Sequence, residues 1–323
     1  MDREYDIVVA GGGIAGLSAG LAAARLGRKT LVLTGDVLGG HLLSIEKVEA
    51  YPGFPEGVPG YDLCPMVQEA AASAGAAFAA AEVERLEPAG GGWQVATSEG
   101  ACAARAAIIA TGTRLRELGV PGEARLRGKG VSHCASCDAP LLRGKVAVVV
   151  GGGDSAMQES LTLAGSCSRV EIVHRGAALG GQASFRERIE AHERIEVRYS
   201  TVLEEILGAD GVTGVRLRDG AGAVSEIEAA GVFVYVGLEP NTAFLAGRLK
   251  LDNTGRILID AAMRTGTAGL FAAGTVRSGS AGRASAAAGD GTAAALAADE
   301  FLAGGAPQTT ASLAGAAMGG THG

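Results

Sequence analysis

The side chains in this sequence best suited to chemistry are two cysteines separated by two residues. Cys134-Ala135-Ser136-Cys137 brings two thiols close enough to form a disulfide, and one thiol of such a motif often has a lowered pKa. Asp138 follows directly and can protonate or deprotonate a departing thiolate. His133, just before the pair, is either a group that favours the thiolate or a chance neighbour. The pattern predicts a reversible dithiol–disulfide centre.

Zinc binding is the competing interpretation of the same cysteine pair. A structural zinc site would need a second pair of cysteines or histidines at short spacing. The other cysteines, Cys64, Cys102 and Cys167, are isolated in the sequence, and His133 is too close to the pair to complete a tetrahedron. We therefore predict no metal, and we expect the three single cysteines to be buried as small apolar residues.

Glycine-rich turns follow strand-like runs at two places about 140 residues apart. Gly11-Gly12-Gly13-Ile14-Ala15-Gly16 follows Ile7–Ala10, and Gly151-Gly152-Gly153-Asp154-Ser155-Ala156 follows Val148–Val150. The first glycine of a dinucleotide fingerprint permits a tight turn, the second lets the backbone approach the pyrophosphate, and the third position lets helix pack on strand. One match is weak evidence, but its recurrence between a strand and a helix favours two dinucleotide sites.

The elements around these turns predict an α/β protein with two Rossmann-like, three-layer nucleotide-binding domains. Thr30–Thr34 closes the first strand–helix–strand unit and Arg169–His174 closes the second. Three further apolar runs end in glycine: Ala107–Gly112, Val232–Gly237 and Gly269–Gly274. A chain of 323 residues, 47% of them hydrophobic, is long enough for about two domains of roughly 150 residues.

The composition of the chain limits which binding partners and which cell compartment we expect. A net charge of -7 argues against nucleic acid and anionic membrane surfaces. The longest uncharged run, Ala10–Ala24, is too short and too rich in glycine to cross a bilayer. The residues Met1–Asp6 are mixed in charge and do not resemble a signal peptide, and five cysteines without such a signal favour a cytoplasmic redox protein. We expect residues 304–323, rich in Gly, Ala and Thr, to be a flexible tail.

The residues after the second strand of each unit bear on the choice of dinucleotide. His174-Arg175 ends the second unit with a cation and no acid, which suits the 2′-phosphate of NADPH better than the free 2′-hydroxyl of NADH. Thr34-Gly35-Asp36 ends the first unit and gives a weaker indication of which dinucleotide binds there. Two sites imply two different dinucleotides, and FAD with NADPH is the commonest pair that does useful chemistry.

Taken in order, these stretches resemble the low-molecular-weight, bacterial-type thioredoxin reductases from about Tyr5 to Leu302. The matching stretches are Gly11–Gly16, Thr34-Gly35 through Gly39-Gly40, Val48–Phe54, Ala110-Thr111-Gly112, Val131–Asp138, Gly151–Ala156, His174-Arg175, Pro240-Asn241-Thr242 and Phe271–Gly274.

The resemblance implies a discontinuous FAD domain, residues 1–116 and 245–303, with an NADPH domain, residues 117–244, inserted into it. It also implies a homodimer whose domains rotate against each other. Electrons would pass from NADPH to flavin, to the cysteine pair, and then to thioredoxin or another small disulfide. By position, Cys137 would face the flavin, Cys134 would attack the substrate, and Asp138 would be the acid or base.

The resemblance also assigns the two ligand sites. The expected FAD residues are Gly11, Gly13, Ile14, Ala15, Gly16, Thr34, Gly35, Gly39, Gly40, His41, Thr111, Gly112, Gly274, Thr275, Arg283, Ala284 and Ser285. The expected NADPH residues are Gly151, Gly153, Asp154, Ser155, Ala156, His174, Arg175, Arg186 and Gly237.

Several positions depart from the family pattern around the flavin. Thr275 stands where the family has an aspartate that grips the ribityl chain, His41 replaces a glutamine, Ala50 replaces an asparagine, and Arg283-Ala284-Ser285 replaces Arg-Gln-Ala. The flavin should still bind, with altered affinity or potential.

The NADPH site departs as well. Gly176 replaces a second arginine, and Ala177–Ser184 resembles an insertion before Arg186, so that NADH is a possible donor.

Three other functions fit parts of the pattern. A flavin-dependent dithiol oxidase would run the cysteine pair in reverse and reduce oxygen, but it would not need the intact second fingerprint. A non-catalytic redox sensor would bind flavin or nucleotide without needing the Cys-x-x-Cys-Asp motif. A plain Rossmann dehydrogenase would need neither a second fingerprint nor the cysteines. We therefore favour an NAD(P)H-dependent disulfide reductase.

Overall fold

The computed structural model describes residues 4–304, and the chain divides into two units. One unit is formed by the residues up to Arg114 together with those from Glu239 onward, and the other is Leu115–Leu238. Two short strands, β7 (Thr113–Leu115) and β16 (Leu238–Pro240), pair where the chain leaves the first unit and returns to it. Residues 305–323, which make up all but the first residue of the expected tail, lie outside the described part.

The first unit is built on a seven-stranded sheet. Its strands are β1 (Glu4–Ala10), β2 (Thr30–Leu33), β3 (Ala77–Ala79), β4 (Val83–Ala89), β5 (Gly92–Thr97), β6 (Gly100–Ile109) and β17 (Leu270–Ala272). They lie in the order β3-β2-β1-β6-β5-β4, and β17 also pairs with β6. The pairs β1–β2, β1–β6, β2–β3 and β6–β17 are parallel, whereas β4–β5 and β5–β6 are antiparallel. Because the residues Ile7–Ala10 of β1 and all of β2 are buried, these stretches are almost continuous apolar runs.

Three helices cover this sheet: α1 (Ile14–Arg25), α2 (Gly60–Ser73) and α6 (Ala284–Leu302). Helices α1 and α6 are rich in alanine and glycine, which lets their backbones approach closely. A Cβ at Gly291 would lie 2.0 Å from the Ala15 carbonyl oxygen, so this crossing requires glycine. The contact holds the first fingerprint helix against the C-terminal helix of the unit.

The second unit contains a five-stranded parallel sheet and a three-stranded antiparallel sheet. The parallel sheet has the order β11-β10-β9-β15-β8, formed by β8 (Val131–Ser132), β9 (Val146–Gly151), β10 (Arg169–Val173), β11 (Ile195–Arg198) and β15 (Gly231–Tyr235). The antiparallel sheet has the order β12-β13-β14, formed by β12 (Thr201–Leu207), β13 (Gly214–Asp219) and β14 (Val224–Glu228). Its helices are α3 (Ala135–Asp138), α4 (Asp154–Ala164) and α5 (Ala183–Glu190).

Both parallel sheets show the strand order typical of a Rossmann unit. In the first unit β3, β2 and β1 lie side by side and β6 joins next to β1; in the second unit β11, β10 and β9 lie side by side, β15 joins next to β9, and β8 lies beyond β15. The α/β fold with two Rossmann-like sheets predicted from the sequence is therefore confirmed. The sequence patterns described above did not predict the antiparallel strands β4–β5–β6 or the β12–β13–β14 sheet. Within residues 4–304 no helix is long and apolar enough to cross a membrane.

Candidate active site

The first glycine-rich turn has the geometry that a pyrophosphate needs. Gly11 has φ of +122°, and a Cβ there would lie 2.2 Å from the Ala110 carbonyl oxygen. A Cβ at Gly16 would lie 1.8 Å from the Gly11 carbonyl oxygen, so strand and helix meet only because both residues lack side chains. At Gly13 no atom lies within 4 Å of an added Cβ. The turn is closed by Gly11 and Gly16 and open at Gly13, which is where a phosphate would approach the helix N-terminus.

Other residues expected at FAD surround this turn within the first unit. The Gly39 N–H donates to the Gly12 carbonyl at 2.8 Å, and a Cβ on Gly12 would lie 2.7 Å from the Thr34 Cβ. The Thr111 hydroxyl donates to the Asn241 carbonyl at 2.8 Å. His41 lies exposed in a 3-10 turn, Gly40–Ser44.

The residues near α6 that depart from the family pattern lie beside a largely buried, hydrogen-bonded ion pair. Thr275 Oγ1 lies 3.3 Å from Thr113 Oγ1. Asp290, on α6, accepts from the Gly274 N–H at 3.2 Å and from two nitrogens of the Arg277 guanidinium at 2.8 Å each. Asp290 is buried and Arg277 is partly buried, with 8% and 14% of their side chains exposed. The Arg277–Asp290 ion pair, which is bidentate, therefore fixes the turn that carries Thr275.

Sequence reasoning missed the Arg277–Asp290 pair. The available signal was a single acid within the alanine-rich stretch of α6, at a position whose neighbours along the helix face are buried. Arg283 is the residue before α6, and Ala284 and Ser285 form its first turn, so the departures from Arg-Gln-Ala lie at this helix end.

The second glycine-rich turn repeats the geometry of the first. A Cβ at Gly151 would lie 2.5 Å from the Tyr235 carbonyl oxygen and 3.0 Å from the Ala156 Cβ. An added Cβ at Gly153 meets no atom within 4 Å. Gly153 therefore matches Gly13, and Ala156 fills the place that Gly16 has in the first turn.

A segment of the second unit packs on this turn. We call residues 177–184 the nucleotide strap; it is the stretch that resembles an insertion. Its Gly180 N–H donates to the Gly152 carbonyl at 2.8 Å, and its Gln182 N–H donates to Asp154 Oδ1 at 2.7 Å. The Gln182 amide nitrogen also lies 3.3 Å from Asp154 Oδ2. The acid at the start of α4 is thus engaged by the strap.

The cations expected at the 2′-phosphate lie beside the strap. Arg175 is exposed, whereas Arg186 Nη1 donates to the Gly181 carbonyl at 2.7 Å. The His174 ring packs against the backbone of the turn, since a Cβ on Gly152 would lie 2.2 Å from His174 Nδ1. Gly237, at the end of the run after β15, has φ of +119°.

The cysteine pair follows β8 and forms a disulfide. Cys134 and Cys137 have Cα atoms 5.4 Å apart. The Cys137 N–H donates to Cys134 Sγ at 3.3 Å, and Ser136 Oγ lies 3.4 Å from the same sulfur. Cys137 is exposed and Cys134 is half-buried. Asp138 ends the short helix α3, and its N–H donates to the Cys134 carbonyl at 3.3 Å.

His133 does not supply a positive charge to the pair. Burial lowers its pKa, and the Arg127 guanidinium lowers it further, while Glu123 and Glu117 act in the opposite direction. Its Nε2 is buried without a hydrogen-bond partner among residues 4–304. The imidazole is therefore neutral near pH 7.

The three single cysteines are buried and free, as predicted. Cys64, Cys102 and Cys167 are at most 1% exposed. Burial raises the pKa of each thiol, that of Cys64 to about 11. Buried thiols of raised pKa are poor nucleophiles. Within the described range no three His, Cys, Asp or Glu side chains are grouped as metal ligands.

Comparison with known proteins agrees with this geometry. The family described as pyridine nucleotide-disulphide oxidoreductase matches residues 5–291. Thioredoxin reductase of Treponema pallidum is 38% identical over 303 residues, covering 94% of this chain and 98% of its own. Thioredoxin reductase of Mycolicibacterium smegmatis is 38% identical over 301 residues, covering 93% and 97%.

Solved structures show the same likeness. The crystal structure of Lactococcus lactis thioredoxin reductase is 35% identical, with a TM-score of 0.90 over 93% of this chain and 99% of that one. The family uses FAD and NADPH, and the open glycines Gly13 and Gly153 fit two dinucleotides. The chain is therefore an FAD-dependent NAD(P)H:disulfide oxidoreductase. It belongs to the pyridine nucleotide-disulphide oxidoreductase family, among the low-molecular-weight thioredoxin reductases.

Proposed function

We propose that this protein passes electrons from NADPH, by way of FAD, to the Cys134–Cys137 disulfide and from there to thioredoxin or another small protein or low-molecular-weight disulfide. The position of the pair carries the proposal. Strands β8, β9 and β15 are parallel neighbours, so the residues that follow them lie at one edge of the sheet. That edge holds both the disulfide after β8 and the second glycine-rich turn after β9.

We assign the two ligands to the two units. The first unit would hold FAD through its Gly11–Gly16 turn, and the second would hold NADPH through Gly151–Ala156. When bound, FAD supplies the two-electron relay between NADPH and a disulfide. The domain limits remain those expected from the resemblance, residues 1–116 with 245–303 and residues 117–244.

The side chains of the pair have distinct roles in this proposal. Two donors, the Cys137 N–H and the Ser136 hydroxyl, approach Cys134 Sγ. They would stabilise negative charge on that sulfur after the disulfide opens. This supports Cys134 as the thiolate that attacks the substrate disulfide and Cys137 as the sulfur that faces the flavin. Asp138 would donate or accept the accompanying proton.

Donor choice would depend on the two arginines near the strap. Arg175 is exposed and free to meet a 2′-phosphate, while Arg186 must exchange its bond to the Gly181 carbonyl for one to the phosphate. We propose NADPH as the donor and NADH as a weaker alternative.

The test is an anaerobic titration of the FAD-loaded protein, followed by its visible spectrum. NADPH, NADH and a dithiol are added in separate runs. Bleaching by NADPH, followed by reoxidation with thioredoxin disulfide, supports the proposal. Bleaching by the dithiol alone with recovery in air would instead indicate a dithiol oxidase. No bleaching by either nicotinamide nucleotide would contradict the reductase.

Cysteine variants separate the pair from the flavin. Cys134→Ser and Cys137→Ser should each abolish disulfide turnover while leaving FAD bound. Cys167→Ala is the matched control, since it removes a buried thiol of the same unit that takes no part in the chemistry. Normal turnover in both serine variants would contradict the mechanism.

We also propose a homodimer that acts in the cytoplasm. The dimer rests on the resemblance, and light scattering of the purified protein measures it directly. Three buried free thiols beside one disulfide are typical of a reducing compartment. A location would be tested by fractionating cells that produce the protein.

A further inference from the structure

Helix α4 carries a buried carboxylate that the mechanism above does not use. Its buried face includes Ala156, Ser160 and Leu163. Glu159 lies on the same face and is 3% exposed. Burying an ionised carboxylate costs free energy unless polar groups compensate it. The partners of Glu159 therefore indicate its function.

One partner belongs to the redox-active turn. The Ala135 N–H donates to Glu159 Oε2 at 3.3 Å, and Ala135 is fully buried. Ala135 directly follows Cys134. Within the turn, Glu159 accepts from the Ala135 N–H and the Cys134 sulfur accepts from the Cys137 N–H.

A buried tyrosine lies in the same place. Tyr235, the last residue of β15, is 7% exposed, and its hydroxyl has no hydrogen-bond partner in the described part of the chain. Burial raises the pKa of this hydroxyl, and the nearby charges of Glu159 and Asp138 raise it further. An unpaired buried hydroxyl is unfavourable, so it is poised to accept or donate a bond when the turn changes state.

We propose that Glu159 is a positioning residue of the Cys134–Cys137 pair. Its carboxylate holds the Ala135 N–H, and its buried negative charge opposes the formation of a thiolate at Cys134. Tyr235 offers the hydroxyl that can bind this carboxylate when the turn rearranges. The inference rests on the proposed role of the pair as the redox centre.

The chemical step is the opening of the disulfide. Reduction breaks the Sγ–Sγ bond, takes up two electrons, and gives two thiols once two protons are bound. A fixed negative charge behind the pair favours the protonated thiols over the thiolate. Asp138 on α3 has the same sign of charge as Glu159, both carboxylates lie near Tyr235 of β15, and His133 is neutral.

The test compares three variants of the FAD-loaded protein after reduction by dithiothreitol, which is itself oxidised to its cyclic disulfide. Glu159→Gln keeps an acceptor for the Ala135 N–H but removes the charge. Tyr235→Phe removes only the hydroxyl. Glu190→Gln is the matched control, because it changes net charge equally at an exposed position of the same unit. Alkylation rates of Cys134 and Cys137 are measured against pH by peptide mass spectrometry.

We expect Glu159→Gln to move the alkylation profile of Cys134 to lower pH, with about tenfold faster alkylation on the acidic side of the profile. Glu190→Gln should coincide with the wild-type protein. Tyr235→Phe should shift the profile less than Glu159→Gln, in the opposite direction, because the carboxylate of the reduced protein then has no tyrosine hydroxyl to bind. A Glu159→Gln profile that superimposes on the wild-type profile would overturn the inference.

This assay also separates the inference from the proposed function. Alkylation after chemical reduction needs no NADPH and no electron transfer through FAD. If the wild-type pair cannot be reduced and reoxidised at all, the proposed function fails. If the wild-type pair cycles and Glu159→Gln behaves like it, only the role of Glu159 fails.

Discussion

Gly13 and Gly153 allow the binding of the two ligands to be tested separately, because one added methyl group at either glycine would obstruct only one of them. Gly13 and Gly153 each precede a fingerprint helix and have extended backbone, with φ of −75° and −96°. Alanine adopts such a conformation without strain. No protein atom lies within 4 Å of an added Cβ at either position. We therefore predict that Gly13→Ala and Gly153→Ala fold normally and each lose affinity for one dinucleotide.

The expected magnitudes follow from that geometry. Alanine at a position preceding a helix is less favourable than glycine by up to about 1 kcal/mol. Reduced freedom of the unfolded chain offsets about 0.4–1 kcal/mol of this cost, so the free energy of unfolding without ligand should hardly change. A methyl group forced against a pyrophosphate costs about 1–3 kcal/mol, as overpacking does in protein cores. That corresponds to a dissociation constant weakened roughly 5- to 150-fold.

The assay measures the two ligands independently. FAD affinity is measured by flavin fluorescence on titrating the flavin-free protein, and NADPH affinity by calorimetry on the FAD-loaded protein. Gly13→Ala should weaken FAD alone, and Gly153→Ala should weaken NADPH alone, so that each variant is the control for the other. Wild-type FAD affinity in Gly13→Ala would refute the argument that a phosphate of FAD lies against Gly13. Equal losses of both ligands in both variants would refute the assignment of one ligand to each unit.

Three further predictions concern stability and donor binding. Asp290→Ala should lower the free energy of unfolding, measured in urea, by about 3–5 kcal/mol, because it leaves the Arg277 guanidinium buried and unpaired; a loss below about 1 kcal/mol would show the pair to be solvated. Gly181→Ala places a Cβ 2.1 Å from Asp154 Oδ1 at a φ of +74°, so it should displace the nucleotide strap and change the KM for NADPH while FAD affinity stays constant; an unchanged KM would mean that the strap does not affect the donor site. Partial burial opposes ionisation of Asp252, yet hydrogen bonds to its carboxylate hold its pKa at about 2, below the ordinary 3.8. The stabilisation by this carboxylate is therefore present above pH 4 and is lost as the pH falls towards 2. Asp252→Asn should flatten the fall of the melting temperature over this range, and an unaltered slope would contradict this prediction.

Local sequence signals were sufficient for the parts of this protein whose chemistry depends on neighbouring residues. A disulfide across two intervening residues, as between Cys134 and Cys137, is set by the chain itself. Gly16 is required by a contact with the Gly11 carbonyl inside the same strand–turn–helix unit, so its spacing from Gly11 is fixed by local geometry. Gly11 and Gly151 are instead crowded by the carbonyls of Ala110 and Tyr235, which other strands bring to these turns.

Only the tertiary structure revealed the groups that surround those motifs. Glu159 reaches Ala135 across 24 positions of the sequence, and Asp290 reaches Gly274 from another element. The nucleotide strap engages Asp154 only because α4 and the loop after β10 lie side by side. A buried acid on an apolar helix face is visible in the sequence, but its partner is not. That partner is chosen by how helices and strands pack, and no fixed spacing encodes it.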